Sequence, residues 1–166
     1  MSRVLVPQPL TAEAFAPFGD VVEARNRAER INRGTTEYFP DLARIEVEPA
    51  GGRPRVSVYR VTPYRLPMSI GMLERHPLGS QLFMPLRGAQ FLVVVAPPGD
   101  DIDTETVAAF VTDGAQGVNY RRGTWHHPVI ALRAASEFLV IDREGPGANC
   151  DEQALAPDSL VLQAPR

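Results

Sequence analysis

Polar and apolar residues alternate with period two through much of this chain. Arg55-Val56-Ser57-Val58-Tyr59-Arg60-Val61 places them in turn, the pattern of a half-buried β-strand. Ala89-Gln90-Phe91-Leu92-Val93-Val94-Val95-Ala96 is an apolar run rich in β-branched residues, which predicts a central strand buried on both faces. Gln81 to Met84 reads as a short strand ended by Pro85, and Thr106–Val111, Gly117–Tyr120, His127–Ala131 and Ser136–Asp142 continue the series. Turn signals fall between them at Arg87-Gly88, Pro97-Pro98-Gly99-Asp100, Asp113-Gly114 and Arg122-Gly123. One segment reads as helix: Thr11 can cap a short turn that Pro17 and Gly19 end. Gly34 to Leu42 reads as irregular, and the tail after Asn149, with Pro157 and Pro165, is expected to pack loosely. Many short strands joined by turns predict a mainly β sandwich or barrel with a few short helices.

Composition narrows the picture by exclusion. A chain of 166 residues with no repeat and no low-complexity linker is expected to form one domain, residues 1–166. The net charge is −3 and no basic stripe is present, so nucleic acid is not an expected partner. No apolar stretch reaches membrane-spanning length, and Met1 to Pro7 is too short for a signal-peptide core, so neither a membrane partner nor a signal peptide is expected. All 17 basic residues are arginine, which rules out a lysine Schiff base and a P-loop lysine. No GxGxxG follows a strand. Cys150, the single cysteine, rules out an intrachain disulfide and a cysteine-cluster metal site, and its neighbours Gly147, Asn149 and Asp151 place it in a loop.

The candidate chemistry gathers around the three histidines. One segment reads Leu73-Glu74-Arg75-His76-Pro77-Leu78-Gly79-Ser80-Gln81. The other runs from Gly117 through Asn119, Tyr120, Arg121, Arg122, Gly123, Thr124 and the only tryptophan, Trp125, to His126-His127-Pro128. Imidazole serves both proton transfer near neutral pH and metal ligation. Strand alternation forbids His126 and His127 from both facing inward, so one belongs to a site and the other packs away from it. By the same rule Arg75 should point away from His76. Bland readings stand beside these. Trp125 can be a packing anchor, Arg121 and Arg122 solvated turn residues, and Asn32 a turn former. Asp142 and Arg143 can form a surface ion pair worth about 0–1 kcal/mol.

These segments resemble the double-stranded β-helix of the cupins. Glu74-Arg75-His76 falls where that superfamily has its His-x-His ligands, Gln81 where it has a Glu, and Gly88 follows at the expected interval. Arg121-Arg122-Gly123-Thr124-Trp125-His126 is similar to the second cupin motif, with Arg121 in place of proline. A cupin-like barrel is therefore implied. His76, His126, Glu74 and Gln81 would be the metal ligands if a divalent ion is bound, although Glu74 and Gln81 depart from the usual ligand types and weaken such a site.

A narrower resemblance spans Leu10 to Glu152. Leu10-Thr11-x-Glu13-x-Phe15-x-x-Phe18-Gly19-Asp20-Val21, Ile31-Asn32-x-Gly34, Leu73 to Gln81, Gly117-Val118-Asn119-Tyr120, Trp125-His126-His127-Pro128, Ile141-Asp142-Arg143 and Asn149-Cys150-Asp151-Glu152 are together similar to the ureidoglycolate lyase family. The resemblance implies a cytoplasmic, homodimeric cupin of allantoin and purine catabolism that cleaves (S)-ureidoglycolate to glyoxylate and urea. For some members it also implies a divalent metal, nickel in particular.

Such an elimination needs a base for the hydroxyl proton, an acid for the departing nitrogen and a cation for the carboxylate. His76 and His126 suit the proton transfers, and Glu74 is the alternative base if burial raises its pKa. Arg75, Arg121 or Arg122 can grip the carboxylate. Gln81 and Tyr120 can hydrogen-bond the ureido group, with Trp125 and His127 as further substrate contacts. The residues alone leave three alternatives open: an amidohydrolase acting on the same substrate, another metal-dependent cupin enzyme, and a small-acid-binding cupin without catalysis.

Overall fold

The computed structural model describes residues 2–25 and 28–166. Two sheets, antiparallel except where Gln8–Pro9 pairs parallel with Ala108–Val111, face each other and the chain winds between them. The larger contains, in order, Asp151–Ala154, Met72–Arg75, Trp125–His126, Phe91–Ala96, Ala108–Val111 and Gln8–Pro9, with Ile130–Ala131 also paired to Phe91–Ala96. The smaller runs Gly19–Val22, Gly117–Tyr120, Gln81–Pro85, Ser136–Glu144 and Arg53–Val61. Successive strands from Met72 onward cross repeatedly from one sheet to the other, which is the winding of a double-stranded β-helix barrel. The mainly β, cupin-like architecture expected from the sequence is the one observed.

The strand Phe91–Ala96 is central, as its composition predicts, and all six of its residues are buried. Phe91, Val93 and Val95 face the barrel interior with Phe83, Val118, Phe138 and Val140. Leu92, Val94 and Ala96 face the other way, against Leu73, Trp125, Ile130, Leu160 and Leu162. That second layer corrects the loose tail. Leu160–Leu162 pairs parallel with Arg3–Leu5 and antiparallel with Met68–Ser69, and Leu160 and Leu162 are fully buried. Full burial of each leucine contributes about 1.5–3 kcal/mol, enough to hold a strand of three residues that its flanking prolines disguise.

The helix forms over Ala12–Phe15, with the Thr11 hydroxyl accepting from Ala14 N at 3.2 Å. It places Phe15 beside Phe18 and Phe110 at one mouth of the barrel. The segment after Gly34 is less irregular than expected, because Thr36–Tyr38 pairs with Glu29–Ile31. Asn32 sits at the tip of this hairpin with its side-chain amide donating to Thr36 Oγ1, so it shapes the turn.

The strand around Val56 departs from its pattern. Val56 and Val58 are 67% and 59% exposed, because Arg53–Val61 is an edge strand whose opposite face, bearing Arg55, Tyr59 and Val61, lines a cavity. The alternation is real, but its polar face turns inward.

Candidate active site

A cavity of about 570 Å³ opens at one end of the barrel. Glu74 and His76 reach it from the end of the Met72–Arg75 strand and the loop beyond, and Gln81 from the start of the next strand. Arg55, Asp142, Arg143, Asn149 and Cys150 complete its polar wall. Tyr59, Val61, Tyr64, Phe83, Pro128 and Val129 make up the rest of its lining.

Backbone register brings the histidines and Glu74 together. His126 pairs directly across from Glu74. Ligand atoms of Glu74, His76 and His126 all lie within 4.8 Å of one another. Each imidazole is oriented by a backbone carbonyl: His76 Nδ1 meets Asn149 O at 2.7 Å and His126 Nδ1 meets Thr124 O at 3.0 Å. A carbonyl can only accept, so Nδ1 carries the proton in both neutral rings and Nε2 carries the lone pair. Neither Nε2 has a hydrogen-bond partner among the described residues, though both are buried. His126 Nε2 approaches Glu74 Oε1 to 3.4 Å without the alignment of a hydrogen bond. Gln81 Oε1, on the same cavity, is also buried and unpartnered. Two bare nitrogens and an unpartnered amide oxygen thus line the site beside a carboxylate whose one side-chain donor among the described residues is the Cys150 thiol.

The electrostatics follow from this crowding. Contact with His126 holds the Glu74 carboxyl below its usual range, outweighing the burial that pushes it up. Glu74 is therefore an ionised carboxylate, and the elevated pKa considered from sequence is not found. Burial holds His126 below the ordinary imidazole value, with Glu74 pulling the other way. Burial, followed by the charge of Glu74, raises the thiol pKa of Cys150, whose Sγ lies 3.9 Å from Glu74 Oε2, so it stays protonated. Glu152 stands close to both, but a protonated thiol is a poor metal ligand. The donor set that fits a divalent cation is Glu74, His76 and His126, with Gln81 as a neutral fourth oxygen.

Several residues expected at the site are near it but face elsewhere. Arg75 points away from His76, as strand alternation requires: its Nε donates to Asp151 at 2.9 Å and its guanidinium lies 4.7 Å above the Trp125 ring. Trp125 is buried beneath it, with Nε1 donating to Gly99 O at 3.0 Å. Arg121 reaches Ala16 O on the outer surface, and Arg122 is tied there through its backbone to Glu46. None of these lines the cavity. Tyr120 stacks on His126 at 4.3 Å and 16° and is fully buried behind it, its hydroxyl unpartnered and its pKa pushed up by burial. It supports the imidazole from behind. His127 turns from its neighbour, accepts edge-on contact with Tyr64 at 5.8 Å, and meets Pro128 O through Nδ1.

The cations of the cavity are Arg55 and Arg143. Arg55 donates through Nε and Nη2 to both oxygens of Asp142, at 2.9 and 2.8 Å. Arg143 is only 4% exposed. Its Nε bonds Val47 O and Pro49 O, and its Nη2 bonds Pro49 O and Pro146 O, at 2.6–3.2 Å. Nη1 forms no hydrogen bond among the described residues. Glycines let backbone pack against this side chain: a Cβ at Gly79 would sit 2.6 Å from Arg143 Cβ, and one at Gly52 2.3 Å from Arg143 Nε. Asp142 and Arg143 are therefore buried residues bonded to other partners, and the surface ion pair is corrected. Sequence pattern gave no sign of this, because the Val47 and Pro49 carbonyls that hold Arg143 lie 94–96 residues earlier in the chain.

A barrel of this winding, with imidazoles and a carboxylate converging at its open end, defines the cupin class of small-molecule enzymes and binders. The chain belongs to the ureidoglycolate lyase family: the model of that description matches residues 2–162. A protein named ureidoglycolate lyase in Burkholderia mallei (strain NCTC 10229) is 54% identical over 161 residues, covering 96% of this chain and 94% of the relative. One of that name in Pseudomonas syringae pv. syringae (strain B728a) is 49% identical over 164 residues, 98% and 96% of the two chains. Another in Azotobacter vinelandii (strain DJ / ATCC BAA-1303) is 50% identical over 161 residues, 96% and 97%. Among solved structures, RmlC from Streptococcus suis in complex with dTDP-D-xylose aligns with a TM-score of 0.45 and 13% identity over 89% of this chain and 73% of that one. At that distance nothing about ligand or chemistry transfers.

Proposed function

We propose that this protein is a ureidoglycolate lyase that eliminates urea from (S)-ureidoglycolate to leave glyoxylate, within allantoin and purine catabolism. The observation that carries the reading is the convergence of Glu74, His76 and His126, with both Nε2 atoms bare, on a cavity in a chain of this family.

His76 is the member of the pair that lines the cavity, so its Nε2 takes the hydroxyl proton. As the C–O bond becomes a carbonyl, the C–N bond breaks and the protonated imidazole returns the proton to the departing nitrogen. Glu74 and the buried His126 stand beside it, and the carboxylate steadies the imidazolium that forms. Arg143 offers Nη1 to the substrate carboxylate from a guanidinium already fixed by three carbonyls, so little freedom is lost on binding. The Gln81 amide takes the ureido group. A divalent ion held by Glu74, His76, His126 and Gln81, nickel being the one the family suggests, would occupy the same Nε2 lone pair and, in place of proton transfer by His76, would supply Lewis-acid polarisation of a substrate oxygen.

A homodimer is part of the same reading. It is supported by exposed Val56 and Val58 on an edge strand, an apolar stripe suited to a second copy. A cytoplasmic setting suits the free thiol of Cys150.

The test is to incubate the purified protein with each enantiomer of ureidoglycolate and quantify urea, ammonia and glyoxylate, with chelator and after nickel is restored. Equimolar urea and glyoxylate from the (S) form, without ammonia, is the expected result. Stoichiometric ammonia would replace the lyase with an amidohydrolase.

A further inference from the structure

A separate pocket of about 250 Å³ opens on the outside of the barrel, lined by Asp20, Arg44, Glu46, Asn119 and Arg121. It shares no lining residue with the active-site cavity. Val118 and Tyr120 face the barrel interior, so Asn119 between them faces the other side of the sheet. Tyr120 backs His126, which puts the pocket and the reacting centre on opposite faces of one strand. The pocket is smaller than the roughly 300–1,000 Å³ that encloses drug-sized ligands. At about 30 Å³ each, about eight water molecules would fill it, so its occupant is small.

Part of the polar lining is already engaged. Asn119 Nδ2 donates to Asp20 Oδ2 and to Arg44 O, each at 3.0 Å. Both partners can only accept, which fixes the orientation of the amide and puts Oδ1 at its other end. Asn119 is 1% exposed, and its Oδ1 has no hydrogen-bond partner among the described residues. A buried acceptor without a donor is destabilising, so this oxygen calls for one. Asp20 Oδ2 also accepts from Arg44 N, and Glu46 Oε2 from Arg122 N, each at 3.1 Å. The second oxygen of each carboxylate accepts no hydrogen bond among the described residues. The cations stand further out: Arg44 and Arg121 are exposed, whereas Asp20 and Glu46 are half-buried. Among the described residues the Arg44 guanidinium has no partner, and that of Arg121 donates only to Ala16 O, at 3.3 Å. No ion pair joins either arginine to either carboxylate, so both signs of charge remain available around one small pocket.

We propose that this pocket binds a small α-amino acid as its zwitterion, with the ammonium group inside and the carboxylate at the rim. An ammonium has three donors, which match Asn119 Oδ1 and the free oxygens of Asp20 and Glu46. Arg44 and Arg121 take the carboxylate. Two arginines on the same pocket repel a bare cation, and two carboxylates repel a simple anion, so the ligand must carry both charges. The volume admits side chains the size of those of glycine, alanine or serine. The site uses no residue of the elimination chemistry and stands or falls apart from it.

The experiment is an NMR titration of the intact, isotope-labelled protein with glycine, L-alanine, acetate, methylammonium chloride and potassium chloride. Glycine and L-alanine are expected to shift the Asn119 side-chain amide with a Kd of about 0.1–10 mM. Acetate, methylammonium and potassium, each carrying one sign of charge, should bind at least about tenfold more weakly. Glu46→Gln removes the charge but keeps an acceptor for Arg122 N, and Arg44→Gln leaves the backbone bonds to Asp20 and Asn119 in place. Each variant should weaken glycine at least about tenfold, while ureidoglycolate turnover stays within about twofold of wild type. No glycine binding at about 50 mM would overturn the proposal and leave Asn119 Oδ1 to an ordered water. Glycine binding with unchanged Kd in both variants would place it elsewhere and also overturn the assignment. Methylammonium or potassium binding as tightly as glycine would make the pocket a cation site, and acetate doing so would make it an anion site; either result refutes the zwitterion.

Discussion

Replacing Arg143 by lysine separates the anchor of the carboxylate from simple positive charge. Arg143 spends Nε and Nη2 on the carbonyls of Val47, Pro49 and Pro146, and Nη1 forms no hydrogen bond among the described residues. An ammonium keeps the charge but has one nitrogen, so it cannot satisfy the carbonyls and reach a ligand at once. A hydrogen bond to a charged partner is worth about 1.5–3 kcal/mol. Losing one or two of the structural bonds should therefore destabilise the fold by roughly 2–5 kcal/mol, a large share of the 5–15 kcal/mol typical of a domain. Losing the bond to substrate should raise KM by about tenfold to a hundredfold at 1.4 kcal/mol per decade. The carboxylate changes little between ground and transition states, so kcat should hold within a few-fold. Denaturant unfolding gives the first quantity and initial rates of glyoxylate release give the other two. If Arg143→Lys folds and keeps KM within about twofold, the carboxylate anchor is elsewhere. Arg55, whose fork Asp142 already occupies, is then the residue to substitute.

Further expectations concern the surroundings of the centre. Burial depresses the pKa of His126, and of His127 as well, whereas both titrate near about 6.5 when unfolded. The unfolded chain therefore binds more protons below that pH, so stability should be level above about pH 7 and fall as pH drops from 6.5 towards the folded values. A urea midpoint that is unchanged or higher at pH 5.5 than at pH 7.5 would contradict this. Asn149 holds His76 through its carbonyl and Leu78 N through its side chain, each at 2.7 Å. Asn149→Ala should lower kcat or metal affinity about 10–100-fold, and Asn149→Asp, which keeps the acceptor, should recover most of it. Wild-type kcat and metal affinity in the alanine variant would show that the Asn149 side chain is not needed to hold His76 in place. Gly79→Ala pushes a Cβ to 2.6 Å from Arg143 Cβ and should cost about 1–3 kcal/mol with a raised KM. Unchanged stability by thermal unfolding would show that the Arg143 packing is looser than described.

The barrel was legible wherever local pattern and global position agree. Phe91–Ala96 announces a strand buried on both sides because every residue is apolar, and Thr11 announces a helix start by its hydroxyl. Glu74, His76 and His126 stood out because their residue types and spacing belong to one chemistry. The face of Arg53–Val61 was not legible. Alternation fixes which residues share a side, but whether the polar side meets solvent or a cavity depends on what lies across the barrel. Arg143 was hidden for a related reason: its burial requires carbonyls from a distant loop and close approach at Gly52 and Gly79. Leu160–Leu162 was obscured by its prolines, since only the sheet it completes shows why three apolar residues suffice to dock a tail.

The most direct test of the centre is kcat of Glu74→Gln on saturating (S)-ureidoglycolate, with circular dichroism confirming the fold. The substitution keeps the shape and removes the charge that lies 3.4 Å from His126 Nε2. A fall of about 10²–10⁴-fold, the range for a group taking part in proton transfer, is predicted. A kcat within about threefold of wild type would contradict the assignment of Glu74, His76 and His126 as the reacting centre.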